Sequence, residues 1–402
     1  MIINGGLVEM GKSFKIFSLL ILICLASLRP GMTFAACNPT IDPTRELLIT
    51  DLSVVNNARA NGANGVWSFG YLIRQMTPAG VDASDFAANW IFEIARRTSV
   101  NGFPVPPRPQ VQKILAGWPK LENGKLNLDL APFRLLAIVN RLDVSATGSA
   151  GEGRFVYGLY DPLTGEPLQF TTIFEYHLSL PSSAGSGGKT APQWAQSWHD
   201  LGTTPFGEDF NRKLEGVTAQ FVRRGANGKS ALSQVRTNEV FLGRPWEMRE
   251  FSLDSRGILV ESTTAQTPAY LFNDPGFPQY SQFLQWIRAN REAIQSGTHV
   301  VPPQILGGAV PMPMVWAAPL NLESPDMKKT RHFFAQQTCN GCHSVETATE
   351  FTHLESRAEA TPSRASRFLT GDLIGRAKNL QALLCASRGL RGGQIRYSSR
   401  VH

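Results

Sequence analysis

The chain has 402 residues, 42% of them hydrophobic and 18% charged, with a formal charge of +7. That composition is globular, enough for one large domain or two ordinary ones, and it excludes a disordered or low-complexity chain. The basic surplus is small and no nucleic-acid motif accompanies it, so nucleic acid is not an expected partner.

Lys12 and Lys15 precede an apolar run from Ile16 to Ala26, and small residues follow at Ala35 and Ala36. Basic, apolar and small-residue regions in that order make 1–36 a secretory signal peptide. The run is too short, and too soon broken by Arg29 and Pro30, to span a membrane. The expected location is periplasmic or secreted. Phe34-Ala35-Ala36-Cys37 also resembles a bacterial lipobox, so Cys37 has two fates: a lipid anchor, or a disulfide with Cys385, the other cysteine left over at the far end of the chain. Membrane contact is expected only with the lipid. Much of the basic surplus lies late, from Arg357 through Arg376 to Arg400. It reads as solvated surface, with a basic rim that steers an acidic redox partner as the alternative.

The body mixes helices and antiparallel strands. Ser84 to Arg97 carries Phe86, Trp90, Ile91 and Ile94 on one helical stripe, capped by Asp82 or Ser84. Pro107 to Trp118 is a second helix. Phe133 to Asn140 reads as a buried strand, and Arg154 to Tyr160 with Gln169 to Leu178 as a hairpin. Phe206 to Arg223 and Tyr280 to Ile294 read as helices; Val235 to Phe241, Trp246 to Leu253 and Ile258 to Ser262 as strands. Hairpins without βαβ alternation argue α+β. Prolines crowd 301–325, which reads as a linker between an α+β domain at 37–300 and a small, mainly helical haem-binding domain at 326–402.

Within that last segment stands Cys339-Asn340-Gly341-Cys342-His343. C-x-x-C-H attaches c-type haem: each thiol adds across one vinyl group, and the histidine beside them ligates the iron. Asn340 and Gly341 are small or polar, which lets the backbone lie close to a porphyrin edge. On this motif the chain resembles c-type cytochromes over roughly fifty residues. The expected cofactor is one covalent haem c, with Cys339 and Cys342 as thioether anchors, His343 as proximal iron ligand and a redox protein as partner. A thioredoxin-like pair, a structural zinc site and a plain disulfide are the competing readings. Asp372 to Ser387 completes the elements as a helix with Cys385 near its end.

No methionine follows His343, so the usual downstream ligand of small cytochromes is missing. His353, ten residues on, is the candidate for the other face of the iron, its imidazole expected to face His343 across an open slot. His332 is the alternative; Met327, Met314 and Met312 are weaker.

The body is also similar to a group of exported proteins of Gram-negative bacteria, on the runs Arg236-Thr237-Asn238-Glu239 and Trp246-Glu247-Met248-Arg249-Glu250-Phe251 together with the C-x-x-C-H tail. That resemblance implies no reaction. The polar residues of these runs, with Asn140, Arg141, Asp143 and Glu175, read as Arg–carboxylate bridges between strands rather than an acid/base pair. Trp194, Trp198 and His199 read as core rather than a ligand groove. No catalytic residue is assigned: an electron carrier or redox subunit is favoured over a catalyst, and a secreted binding or structural protein, its C-x-x-C a disulfide or metal clip, is the rival.

Overall fold

The structure, a computed structural model, describes residues 37–145, 148–181, 188–225, 230–244, 246–311, 314–349 and 351–387. The expected signal peptide, Met312, and the arginines after 387 lie outside the described residues. From Cys37 onward the chain forms one compact unit. It is α+β, as expected.

Eight strands make one antiparallel sheet: β1 (Leu48–Ile49), β2 (Phe133–Arg141), β3 (Ser149–Tyr160), β4 (Pro167–Ser179), β5 (Leu232–Glu239), β6 (Glu247–Leu253), β7 (Leu259–Ser262) and β8 (Val310–Pro311). They lie side by side in the order β1 to β6, with β7 and β8 both paired to β6. Side chains alternate between the faces of a strand, and here the alternation separates two kinds of surface. Phe155 and Tyr157 of β3, Phe174 and Tyr176 of β4, Val235 of β5 and Phe251 of β6 belong to the main core. Their neighbours Arg154, Val156, Ile173, Glu175, Arg236 and Glu250 are in cross-strand register on the opposite face.

The first face is covered by α1 (Phe69–Met76), α2 (Ala83–Ala95), α3 (Ala191–Gly202) and α4 (Glu208–Val222). Asp82 caps α2 by accepting from the backbone N–H groups of Ser84 and Asp85, and Thr190 and Gln193 form a capping box on α3. Trp194 and Trp198 are core, and His199 Nδ1 meets the buried Glu46 at 2.8 Å. The stretch 107–118 is helical only from Gln112 to Gly117, after a 3-10 turn at Pro109–Val111. The expected helix 280–294 is two, α5 (Tyr280–Ala289) and a short one at Arg291–Ser296. Asn290 leaves helical geometry between them and donates its amide to the Trp286 carbonyl.

A second core joins Phe272, Phe283, Ile287, Trp316, Leu320 and Phe334. Phe334 comes from α6 (Pro325–Gln336). The proline-rich stretch 301–325 is therefore not a spacer between two cores, because Trp316 and Leu320 are buried inside one that both sides build. The final helices are α7 (Cys339–Cys342) and α8 (Arg367–Ser387). Leu380, Leu383 and Leu384 of α8 return to the main core.

Cys385 bonds Cys37 with Cα atoms 5.6 Å apart, closing a loop of sequence separation 348. Replacing both cysteines by serine should lower stability by up to about 5–6 kcal/mol, the loop-closure entropy of so long a loop. Urea midpoints would measure it; an unchanged midpoint would mean that packing of α8 alone holds the ends together.

At the end of the first face nearest β8, five charged side chains are buried together. Arg249 lies 2.9 Å from both Glu247 and Glu261, and Arg108 lies 3.2 Å from Glu247, with Glu239 between the two arginines. Three carboxylates face two guanidiniums, and burial pushes Glu261 up to about 7. Folding raises this group from an ordinary 4.5, so the folded protein holds a proton that the unfolded chain releases between those values, and stability falls as pH rises through that window. Glu261→Gln mimics the protonated acid and should flatten the fall. Denaturant midpoints at pH 5 and pH 8 would check it; equal slopes in the two proteins would place the proton elsewhere.

Candidate functional site

The second face of the sheet is where the sequence motif lands. Leu48, Val139, Val156, Ile173 and Met248 form an apolar floor, with Arg141, Arg154, Arg236 and Asn238 among them. His343, His353, Leu354 and Leu369 form the roof, with Arg376 of α8. A cleft of about 650 Å³, open solvent at its mouth included, lies between.

The roof is built residue by residue from α6 onward. Ser324 caps α6, and Thr338 caps the single turn of α7 by accepting from the Gly341 N–H at 3.1 Å. That turn buries both thiols. Cys339 packs on Trp246 and Met248 of the sheet side, and its N–H donates to Thr267 Oγ1 at 2.9 Å. The two spacers are turned into the protein. Asn340 is fully buried, accepting from Trp316 Nε1 at 2.7 Å, and the space a Cβ would take on Gly341 is filled by the Ala335 carbonyl. Packing within the chain, not approach to a porphyrin, requires a small residue at 341.

His343 follows at the C-terminal end of this turn. Its ring stacks on Trp246, centroids 5.4 Å apart, and its Nδ1–H donates to the Phe351 carbonyl at 2.8 Å. Phe351 adopts a φ of 62° to present that carbonyl, a conformation a bulky residue rarely takes. Burial holds His343 down to about 4, so the imidazole is neutral at pH 7. With Nδ1 committed, the lone pair sits on Nε2, which has no hydrogen-bond partner among the described residues.

His353 lies against His343, ring centroids 4.3 Å apart and planes at 56°. No slot separates the two imidazoles as expected; they touch. His353 Nε2 instead meets Cys342 Sγ at 2.9 Å, and its Nδ1 meets Ser366 Oγ at 2.8 Å. Burial, reinforced by His343, holds His353 well below its usual value. His332 is apart from the cleft, half-exposed and bonded to Glu346 at 2.7 Å. Met314 Sδ accepts from Asn340, and Met327 packs on the second core.

Burial raises Cys339 to about 11 and lifts Cys342 well above the ordinary thiol range. Neither is in a disulfide, and a thioredoxin-like pair needs the opposite shift. Among the described residues no three histidine, cysteine or carboxylate side chains gather to hold a metal ion, which gives the zinc reading no ligand set.

The arginines of the floor are bridged to carboxylates, as the sequence suggested. Arg236 reaches Glu175 at 3.1 Å and Glu250 at 2.9 Å, Arg154 reaches Glu152 at 2.6 Å, and Arg141 holds Asp143 at 2.9 Å. Burial opposes the charge on Asp143, but Arg141 and Arg376 outweigh it and hold this carboxyl at about 2. Arg376 pairs with Asp372 at 2.8 Å. It and Arg357 are buried, not solvated as the sequence suggested, whereas Arg364, Arg367 and Lys378 are exposed. Among the described residues, three buried polar atoms in the cleft lining lack a hydrogen-bond partner: Arg141 Nη1, Arg376 Nη2 and Asn238 Oδ1.

Compared with protein-family models, with curated proteins and with solved structures, the chain matches none. The site therefore rests on its own geometry. Sequence reasoning missed Trp246 as the platform for His343, and Arg376 as part of the lining. Strand alternation was a usable signal for the floor, since Arg141 and Arg154 share a parity with Val139 and Val156. Nothing local signalled Arg376, which enters the cleft from the last helix.

Proposed function

We propose that this chain is an exported c-type cytochrome-like protein that binds one covalent haem and passes electrons to or from a partner protein. The observation that carries this is His343: neutral, its Nδ1 pinned by the Phe351 carbonyl, its Nε2 lone pair left at the cleft, directly after two cysteines that no disulfide joins. A ligating histidine characteristically donates its other ring N–H in this way. The residues fit the group. The apolar floor suits a flat hydrophobic ring, and the orphaned Nη atoms of Arg141 and Arg376 suit its carboxylates.

Bound there, haem supplies an iron that exchanges single electrons. Cys339 and Cys342 would anchor it and His343 would ligate the iron, with Trp246 holding the plane of that imidazole and the floor excluding water. His353 would be the second imidazole available to the iron, once its Nε2 is released from Cys342. With its sulfur in the disulfide, Cys37 has no thiol left for a lipid, which supports export without an anchor.

A reduced-minus-oxidised visible spectrum, on protein made alongside the cytochrome maturation machinery, tests this reading. Sharp haem bands that survive denaturation and organic extraction are expected. A colourless protein with Cys339 bonded to Cys342 would give the place to the rival, a secreted binding or structural protein. The contact of Cys342, His353 and Ser366 favours one further reading, a cysteine nucleophile with its base. Burial weighs against it, since it raises the thiol rather than activating it.

A further inference from the structure

The geometry points to Arg141 and Arg376 as the pair that holds the porphyrin's carboxylate groups in this cleft; the inference rests on the haem reading and adds the direction in which the ring enters. Three observations carry it. Each guanidinium is almost wholly buried, 0% exposed for Arg141 and 4% for Arg376, and each lines the cleft. Each has one committed edge: Arg141 Nε and Nη2 donate to Asp143 at 2.9 Å, and Arg376 Nε donates to Asp372 at 2.8 Å. Each keeps one buried nitrogen, Nη1 of Arg141 and Nη2 of Arg376, with no acceptor among the described residues.

A buried, unsatisfied guanidinium N–H costs free energy, and native proteins rarely leave two on neighbouring side chains without a use. The other two arginines of the floor differ. Arg154 and Arg236 are each shared between two carboxylates, Arg154 between Glu152 and Glu175, Arg236 between Glu175 and Glu250. Asp143 and Asp372 already balance Arg141 and Arg376 one for one, so what these two offer is hydrogen-bond donors rather than net charge. That suits a carboxylate, whose oxygens accept charge-assisted bonds from fixed donors. Arg141 ends a strand of the floor and Arg376 belongs to the roof, so a carboxylate between them would bridge the two walls.

The test uses the full chain produced without haem attachment, titrated with ferric protoporphyrin IX and with its dimethyl ester, binding followed by the visible absorbance. The ester keeps the ring and the iron and removes both carboxylate charges. We expect the ester to bind roughly tenfold to a hundredfold more weakly, and we expect that ratio to collapse in Arg141→Gln/Arg376→Gln. The ester comparison on the unaltered chain needs no variant, so it stands even if the double variant fails to fold. Equal affinity for the acid and the ester would overturn the inference while leaving the haem reading in place. An undiminished ratio in a folded Arg141→Gln/Arg376→Gln protein would overturn it too, placing the carboxylates elsewhere. Binding of neither porphyrin would remove the haem reading, and this inference with it.

Discussion

Made alongside the cytochrome maturation machinery, the wild-type chain should carry an added mass of roughly 0.6 kDa, one haem, and Cys339→Ala/Cys342→Ala should carry none. Both cysteines are buried, and trimming each to alanine removes one atom from a packed site, a cost of about 1 kcal/mol apiece. The double variant should therefore fold, and its far-ultraviolet circular dichroism should match the wild type. The single variants discriminate further. Each keeps one anchor, so haem should stay bound through denaturation with one vinyl group unreacted and a shifted absorption band. Intact mass spectrometry reads all three outcomes. A wild-type chain of unmodified mass under those conditions would sink the haem assignment.

Arg249→Ala should destabilise the protein by about 3–5 kcal/mol, the usual consequence of removing one partner from a buried ion cluster. Arg249 is fully buried and donates to Glu247, to Glu261 and to the Pro106 carbonyl, all within 2.9 Å. Without it, Glu239, Glu247 and Glu261 share a buried site with Arg108 as their remaining cation among the described residues. Arg256→Ala is the control. Arg256 is exposed beside Asp254, where an ion pair contributes about 0–1 kcal/mol. The deficit of Arg249→Ala should shrink at pH 5, because uncompensated carboxylates take up protons there. Urea unfolding of the three proteins at pH 5 and pH 8 would measure both effects; an Arg249→Ala protein within about 1 kcal/mol of wild type would mean that this cluster is solvated and cheap to break.

Much of the sheet was legible because its strands alternate cleanly. Phe174, Tyr176 and Val235 could be placed on one face and Ile173, Glu175 and Arg236 on the other by counting in twos. The Arg–carboxylate bridges followed from the same count, since cross-strand neighbours must pair or repel. The disulfide was legible from arithmetic, as two cysteines remained once the motif was set aside. Proline misled at 301–325. It marks irregular backbone, which sequence cannot distinguish from a linker when the irregular segment, here with Trp316 in it, is buried by residues far away in the chain. His353 was found but its partner was not. A ten-residue loop fixes reach, and it does not fix whether the ring turns toward His343 or toward Cys342. The floor of the cleft was present in the sequence only as scattered apolar residues and arginines on six strands, and Trp246 gave no sign that it would lie under His343.

The last helix has a consequence for how the chain assembles in time. A polypeptide delivered from its N-terminus presents the strands and their helices first. Yet Leu380, Leu383 and Leu384 complete the main core, and Cys385 must find Cys37 across almost the whole length. Contacts of such long range form late, because the chain between them must already be ordered. Until α8 (Arg367–Ser387) arrives, the second face of the sheet lacks Leu369 and Arg376, and the roof beside Cys342 is incomplete. The order of synthesis thus opens an interval in which the cleft stands uncovered, and the docking of α8 closes it.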